Sequence, residues 1–374
     1  MISRRGRAGK RQRGALALHS ACVALSLGLA PFSLEAKEKD VALSGGSSTA
    51  EKPGAPALRH LSTRDSIGDI LEHPAFTGFG RLVLPWDDRA YDVSMRLRDV
   101  GTLLPYHSHV NPEDVVNALN RMIDDAGNGK AVFHDFYSAG QKREQPAREH
   151  TGLFFFRGRP GAPFAVIAPG GGFSYVGSVH EGFPYAAEIS SKGYNAFVLK
   201  YRAGYGGTVA TRDLAAAISF IVSNAEALGV NAGGYSLWGS SAGARMAAAI
   251  GSYGAAGFGG GDVPKPSAVV MAYTAHADYS ADEPPTFAVV GENDGIAPPS
   301  AMERRVSALR KAGADVEYRK YPGVGHGFGR GTGTSAEGWI GDAIRFWQQA
   351  ITRRSGEKTV GTPVTGRLHE SSKE

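Results

Sequence analysis

Apolar residues along this chain follow two regimes that meet near Thr151. Beyond that point, short and almost unbroken apolar runs recur at 153–156, 164–167, 196–199, 235–238, 268–271 and 287–290. Between them lie stretches of helical spacing, including 213–228, 242–250 and 300–311. Strands apolar on both sides and separated by helices predict an α/β fold, with a mostly parallel central sheet and helices on both faces. Ligands on such sheets bind beyond the carboxyl ends of the strands, so the loops that follow each run are where chemistry is expected.

Before Thr151 the pattern is mixed and predicts a helical and irregular N-terminal extension over 63–150, packing on or capping the domain at 151–352. One helix is well marked there. Asn111 suits the N-cap, Pro112 the first turn, and Glu113 and Asp114 the positive helix end. Val115, Val116, Leu119 and Met122 then recur at helical spacing, and Gly127 ends the run. Segments 37–62 and 353–374 are rich in small and polar residues and read as a disordered linker and tail.

Charge changes the picture at the N-terminus. Residues 1–36 carry six basic residues against Glu35 alone, enough to account for the whole formal net charge of +5. The basic stretch precedes an apolar run from Ala15 to Ala30, the order of a secretory signal peptide. His19, Ser20, Ser26 and Pro31 weaken a resident membrane anchor. The expectation is export, to the periplasm or the medium, of a mature chain of balanced charge with no affinity for nucleic acid. Cys22, the single cysteine, lies in the same segment, leaving the mature chain without disulfide or thiol nucleophile.

Four strand-end loops carry candidate chemistry. Gly239-Ser240-Ser241-Ala242-Gly243 follows an apolar strand and opens an alanine-rich helix. A serine at so sharp a turn is raised above the sheet, with glycines relieving the crowding, and Ser241 stands in the nucleophile frame. Pro169-Gly170-Gly171-Gly172 lacks the Lys-Ser/Thr ending of a phosphate loop. It reads instead as an oxyanion loop, with donors from Gly171 or Gly172 and from the amide of Ala242. Asp294, in Gly291-Glu292-Asn293-Asp294, is favoured over Glu292 because it lies farther beyond the strand end. His326, between Gly325 and Gly327, completes the order Ser, Asp, His. Phe173, Tyr175, His180 and Ser240 are expected to line the substrate cleft.

On these loops, together with Lys200-Tyr201-Arg202, residues 151–348 resemble the α/β-hydrolase superfamily, in its esterase/lipase and acetyl-xylan-esterase-like branches. Pro169 stands where many lipases and esterases open the glycine loop with histidine. The resemblance implies a structural role for Lys200-Tyr201-Arg202 with Asp213. It also implies a Ser241–His326–Asp294 triad that cleaves a carboxylic ester through an acyl-serine, without metal or organic cofactor. The substrate implied is a small-molecule or carbohydrate ester of short acyl chain, such as acetyl. A peptidase or acyltransferase on the same triad, or a carbohydrate-binding protein that keeps the fold without turnover, are the alternatives.

Other features read as structural. His107 and His109 alternate as if on one strand face, but no third metal ligand is evident. Trp339 and Trp347 fall on a terminal amphipathic helix and are expected in the core. Arg304 and Arg305 read as a solvated helix face.

Overall fold

The structure is a computed structural model and describes residues 58–360. Eight strands form one sheet: β1 (Phe133–His134), β2 (Gly152–Phe156), β3 (Pro163–Ala168), β4 (Asn195–Lys200), β5 (Asn231–Ser240), β6 (Ala268–Ala272), β7 (Thr286–Gly291) and β8 (Val316–Tyr321). Their spatial order is β1-β2-β4-β3-β5-β6-β7-β8. The first two pairings are antiparallel and the rest parallel, so β2 alone runs against the other seven strands. All six apolar runs after Thr151 become strands, β2 to β7, as the mostly parallel sheet requires.

Ten α-helices accompany the sheet among the described residues. Four belong to the N-terminal part: α1 (Ile67–Leu71), α2 (Gly80–Val83), α3 (Pro112–Gly127) and α4 (Ala139–Glu144). The others are α5 (Phe183–Ser191), α6 (Gly206–Ser223), α7 (Ala225–Leu228), α8 (Ala242–Tyr253), α9 (Pro299–Lys311) and α10 (Trp339–Val360). Helix α3 begins as its sequence dictates, with the Asn111 side chain accepting from the Glu113 amide at 2.9 Å.

The period-two alternation of each strand divides the core into two layers. One face presents Phe154, Phe156, Ile167, Val198, Trp238 and Val270 to α5, α10 and the N-terminal part. The other presents Phe155, Val166, Phe197, Leu237 and Met271 to α6, α8 and α9. Trp339 and Trp347 are buried in the first layer, where their indole N–H groups donate to the carbonyls of Gly329 and Gly234.

The N-terminal extension is built into this body. Val115, Leu119, Met122, Phe76 and Leu84 belong to the same buried layer as the sheet residues. Lys200, wholly buried at the end of β4, donates to the carbonyls of Leu84 (2.8 Å) and Pro85 (3.1 Å) and pairs with Asp87 at 3.0 Å. Burial lowers the Lys200 pKa, and Asp87 opposes that shift. Arg202 grips Asp213 through Nε and Nη2, and Tyr137 of the extension donates to the same carboxylate at 2.7 Å.

Several sequence expectations need correction. The body begins at least as early as Leu58, inside the segment read as linker. Leu61 is buried, and its amide and carbonyl both bond the side chain of Asn120. Helix α10 runs to Val360, so the first residues assigned to the tail are helical. Arg305 is not a solvated residue: its guanidinium is buried against Glu283 at 3.2 Å. Residues 1–36, read as a signal peptide, and most of the segments read as linker and tail lie outside the described residues. Among the described residues no helix is long and apolar enough to cross a membrane.

Candidate active site

Ser241 sits between β5, at the middle of the sheet, and α8. Its φ of 52° is a conformation that side chains other than glycine rarely adopt. The turn survives because its neighbours leave no alternative. The Ser241 amide donates to the carbonyl of Ala272 at 2.8 Å. A Cβ on Gly243 would fall 1.8 Å from the carbonyl oxygen of Ala168, and one on Gly239 would fall 2.3 Å from that of Gly243. The two glycines flanking the serine are thus dictated by backbone packed against backbone.

The loops after β7 and β8 bring two further side chains to the hydroxyl. His326 Nε2 lies 2.9 Å from Ser241 Oγ. His326 Nδ1 lies 2.8 and 3.0 Å from the two carboxylate oxygens of Asp294. Asp294 is buried, and its Oδ1 also accepts from the amides of Ile296 (2.9 Å) and Ala297 (2.7 Å). With Asp294 as acceptor, Nδ1 carries the imidazole proton and Nε2 is left to accept from Ser241. Glu292 stays exposed and accepts weakly from the Gly323 amide at 3.3 Å.

A cleft of about 540 Å³ opens over these groups. Gly172 and Ala242 line it beside Ser241 and His326, whereas Gly171 is buried behind them. As the first residue of α8, Ala242 has an amide with no acceptor inside its helix. Phe173 lines the cleft. Tyr175, His180 and Ser240 do not; all three are buried beneath it. The Tyr175 hydroxyl meets Nδ1 of His107, the Ser240 hydroxyl meets that of Tyr185, and Nε2 of His180 donates to the carbonyl of Gly327. Burial first, and then the nearby His107, push the His180 pKa down to about 4.

The opposite wall comes from the stretch after β6 and from α8, through Thr274, His276, Asp278 and Arg245. Arg245 was legible in principle, since four residues past the serine place it on the same face of its helix. Burial, followed by the charges of Arg305 and Arg245, lowers the His276 pKa to about 4. His107 and His109 do not share a strand face: the segment is irregular, and His107 pairs with Glu181. Among the described residues no three His, Cys, Asp or Glu side chains gather as metal ligands would.

Two family models and several known proteins are similar to parts of this chain. The BD-FAE family matches residues 158–260 and the prolyl oligopeptidase family residues 253–354. An acetylxylan esterase of Xylanibacter ruminicola is 23% identical over 208 residues, which are 48% of this chain and 43% of that protein. This chain therefore spans less than half the length of that curated relative. Among solved structures, an α/β-hydrolase enzyme from a Medee basin deep-sea metagenome library is 25% identical, with a TM-score of 0.47, covering 54% of this chain and 93% of its own. A thermophilic esterase of Thermogutta terrifontis, solved with propionate, is 18% identical with a TM-score of 0.45, covering 58% and 92%. With a serine elbow at the centre of a mostly parallel sheet, and family matches that together run from 158 to 354, the chain has the α/β-hydrolase fold and is similar to an acetylxylan esterase.

Proposed function

We propose that the chain is an exported serine hydrolase that cleaves short acyl esters, acetyl groups on carbohydrate among them. One observation carries this reading: Ser241, His326 and Asp294 stand in hydrogen-bonded sequence, with Ser241 and His326 facing an open cleft and Asp294 buried behind them. In the reaction, His326 Nε2 takes the Ser241 proton as Oγ attacks the ester carbonyl carbon. The carbonyl oxygen becomes an oxyanion that receives N–H donors from the 171–172 loop and from Ala242. His326 then gives its proton to the departing alkoxide, leaving acyl-Ser241, and water attacks in the second half with the same histidine as base. Asp294 holds the tautomer and stabilises the imidazolium. The acetyl-carbohydrate preference draws on the likeness to the acetylxylan esterase. Export draws on the basic-then-apolar order of residues 1–36.

The test is a panel of acyl esters and acetylated sugars with purified protein, run beside Ser241→Ala. Turnover of the shorter acyl esters is expected, and the variant should lose at least about ten-thousand-fold in kcat. A fluorophosphonate should label Ser241 and no other residue; labelling elsewhere, or full activity in the variant, rejects the assignment. The match to the prolyl oligopeptidase family favours a second reading, a peptidase on the same triad. Aminoacyl amides assayed in parallel separate the two. Export is checked by locating the protein in cell fractions with residues 1–36 present or deleted.

A further inference from the structure

Beneath the glycine loop lies a buried polar assembly that the triad does not use. Glu181 is wholly buried, and its carboxylate has three partners. Oε2 accepts from the Gly170 amide at 2.6 Å, and Oε1 accepts from the Tyr273 hydroxyl at 2.7 Å and faces Nε2 of His107 at 3.0 Å. His107 comes from the N-terminal extension, its side chain only 2% exposed, with Nδ1 held by the Tyr175 hydroxyl at 2.9 Å. Burial alone would raise the Glu181 pKa, but the neighbouring His107 and its hydrogen bond keep the group below the usual carboxylate range. A carboxylate taken this far from water costs several kcal/mol unless fully partnered, and packing alone does not call for one here.

Its placement shows what it acts on. Gly170 touches the nucleophile's turn: a Cβ there would lie 2.9 Å from Ser241 Cβ and 2.8 Å from the Ser240 carbonyl oxygen. With its N–H tied to Glu181 and its carbonyl accepting from the Gly177 amide at 2.9 Å, Gly170 cannot rotate about its own peptides. The direction in which Gly171 and Gly172 leave it is thereby set. A Cβ on Gly177 would meet His107 Nε2 at 2.9 Å, so the imidazole also backs the return of the loop.

We propose that His107 and Glu181 are positioning residues, through which the N-terminal extension fixes the 170–172 loop so that its amides meet the oxyanion of the reaction at Ser241. This rests on reading Ser241 as the nucleophile and that loop as the oxyanion loop. Neither residue touches substrate; they act through Gly170. Loss of the His107 donor leaves a buried carboxylate short of a partner, and the loop relaxes where donor placement matters most.

The experiment compares His107→Ala, His107→Gln and Tyr175→Phe with the wild type. The readouts are kcat and KM for an acyl ester, affinity for a trifluoromethyl ketone that forms a hemiketal oxyanion on the serine, and the rate of fluorophosphonate labelling at Ser241. For His107→Ala we expect kcat and ketone affinity to fall together by about tenfold or more, with KM within about threefold. His107→Gln, whose amide N–H2 replaces Nε2–H, should recover most of the loss. Tyr175→Phe keeps the ring packing and tests the same chain should His107→Ala fail to fold; it should lower kcat in the same direction. A lower melting temperature with kcat and ketone affinity unchanged overturns the proposal, as does a Gln variant no better than Ala. If wild-type Ser241 is neither labelled nor needed for turnover, the reading of Ser241 falls and takes this one with it. If the wild type reacts and the variants match it, only the positioning role falls.

Discussion

Ser108 Oγ donates a hydrogen bond of 2.7 Å to the carbonyl oxygen of His326, while the Ser108 amide donates to that of Gly327 at 3.0 Å. A residue 218 positions earlier in the chain thus holds the backbone of the loop that delivers the imidazole. Ser108→Ala removes the side-chain bond alone and should cost about 1 kcal/mol of stability, measured by urea denaturation. Ser108→Pro also removes the amide donor and should cost more than the alanine variant.

The cleft wall after β6 is tied down from behind. Arg305 pairs with Glu283 and donates to the carbonyl of Asp278, and Glu283 also accepts from Ser252 and from the Ser280 amide. Arg305→Ala leaves Glu283 buried without its cation, a change that costs about 3–5 kcal/mol. Its neighbour gives the control: Arg304 is exposed, and Arg304→Ala should stay within about 0.5 kcal/mol. Equal effects from the two variants, in paired thermal melts, would contradict the buried pairing.

Acid should weaken the fold well above the range where carboxylates titrate. His180 has a folded pKa of about 4 against an ordinary value of 6.5. Between those values the unfolded chain binds the proton and the folded chain does not, so stability is full above about pH 6.5 and declines towards pH 4. That one group contributes roughly 3 kcal/mol across the window. His276, lowered to about 4, acts in the same direction. Urea melts at pH 7, 5.5 and 4.5 check this, and His180→Gln should flatten the slope; an equally steep slope in the variant would assign the loss to other groups.

Close backbone approach makes a sharper forecast at Gly243. A methyl group 1.8 Å from the Ala168 oxygen forces apart β3 and the start of α8, so Gly243→Ala should give insoluble or inactive protein. Gly140, inside α4, has nothing nearer than 3.7 Å, and Gly140→Ala should be neutral or stabilise by up to about 1 kcal/mol. Soluble yield and melting temperature separate the two.

What could be read from the sequence follows from how local each cause is. Strands β2 to β7 were legible because burial on both faces makes them continuous apolar runs. Phe133 and His134 of β1 carry no such signature, since two residues are too few to show a period. The placement of Ser241, Asp294 and His326 at strand ends could be anticipated from loop positions. Tyr175, His180 and Ser240 sit in equally suggestive loops, yet their hydroxyls and imidazole turn inward to partners at 107, 327 and 185 that no short-range pattern connects to them. Arg305 misleads for the same reason: its acid lies on the stretch before β7, far from the helical face where a local reading looks. Leu61, in a segment of linker-like composition, is kept by Asn120 on α3.

The two residues of β1 have a consequence out of proportion to their length. They occupy the flank of β2, whose Leu153-Phe154-Phe155-Phe156 is uncharged and rich in aromatic side chains. The far side of the sheet needs no such cover, because β8 presents Glu317, Arg319 and Lys320 there. A shortened chain starting near Thr151 would therefore be no minimal enzyme. It would bare an unpaired aromatic strand able to recruit its copies edge to edge, so the segment before Thr151 also serves as the molecule's own guard against self-assembly.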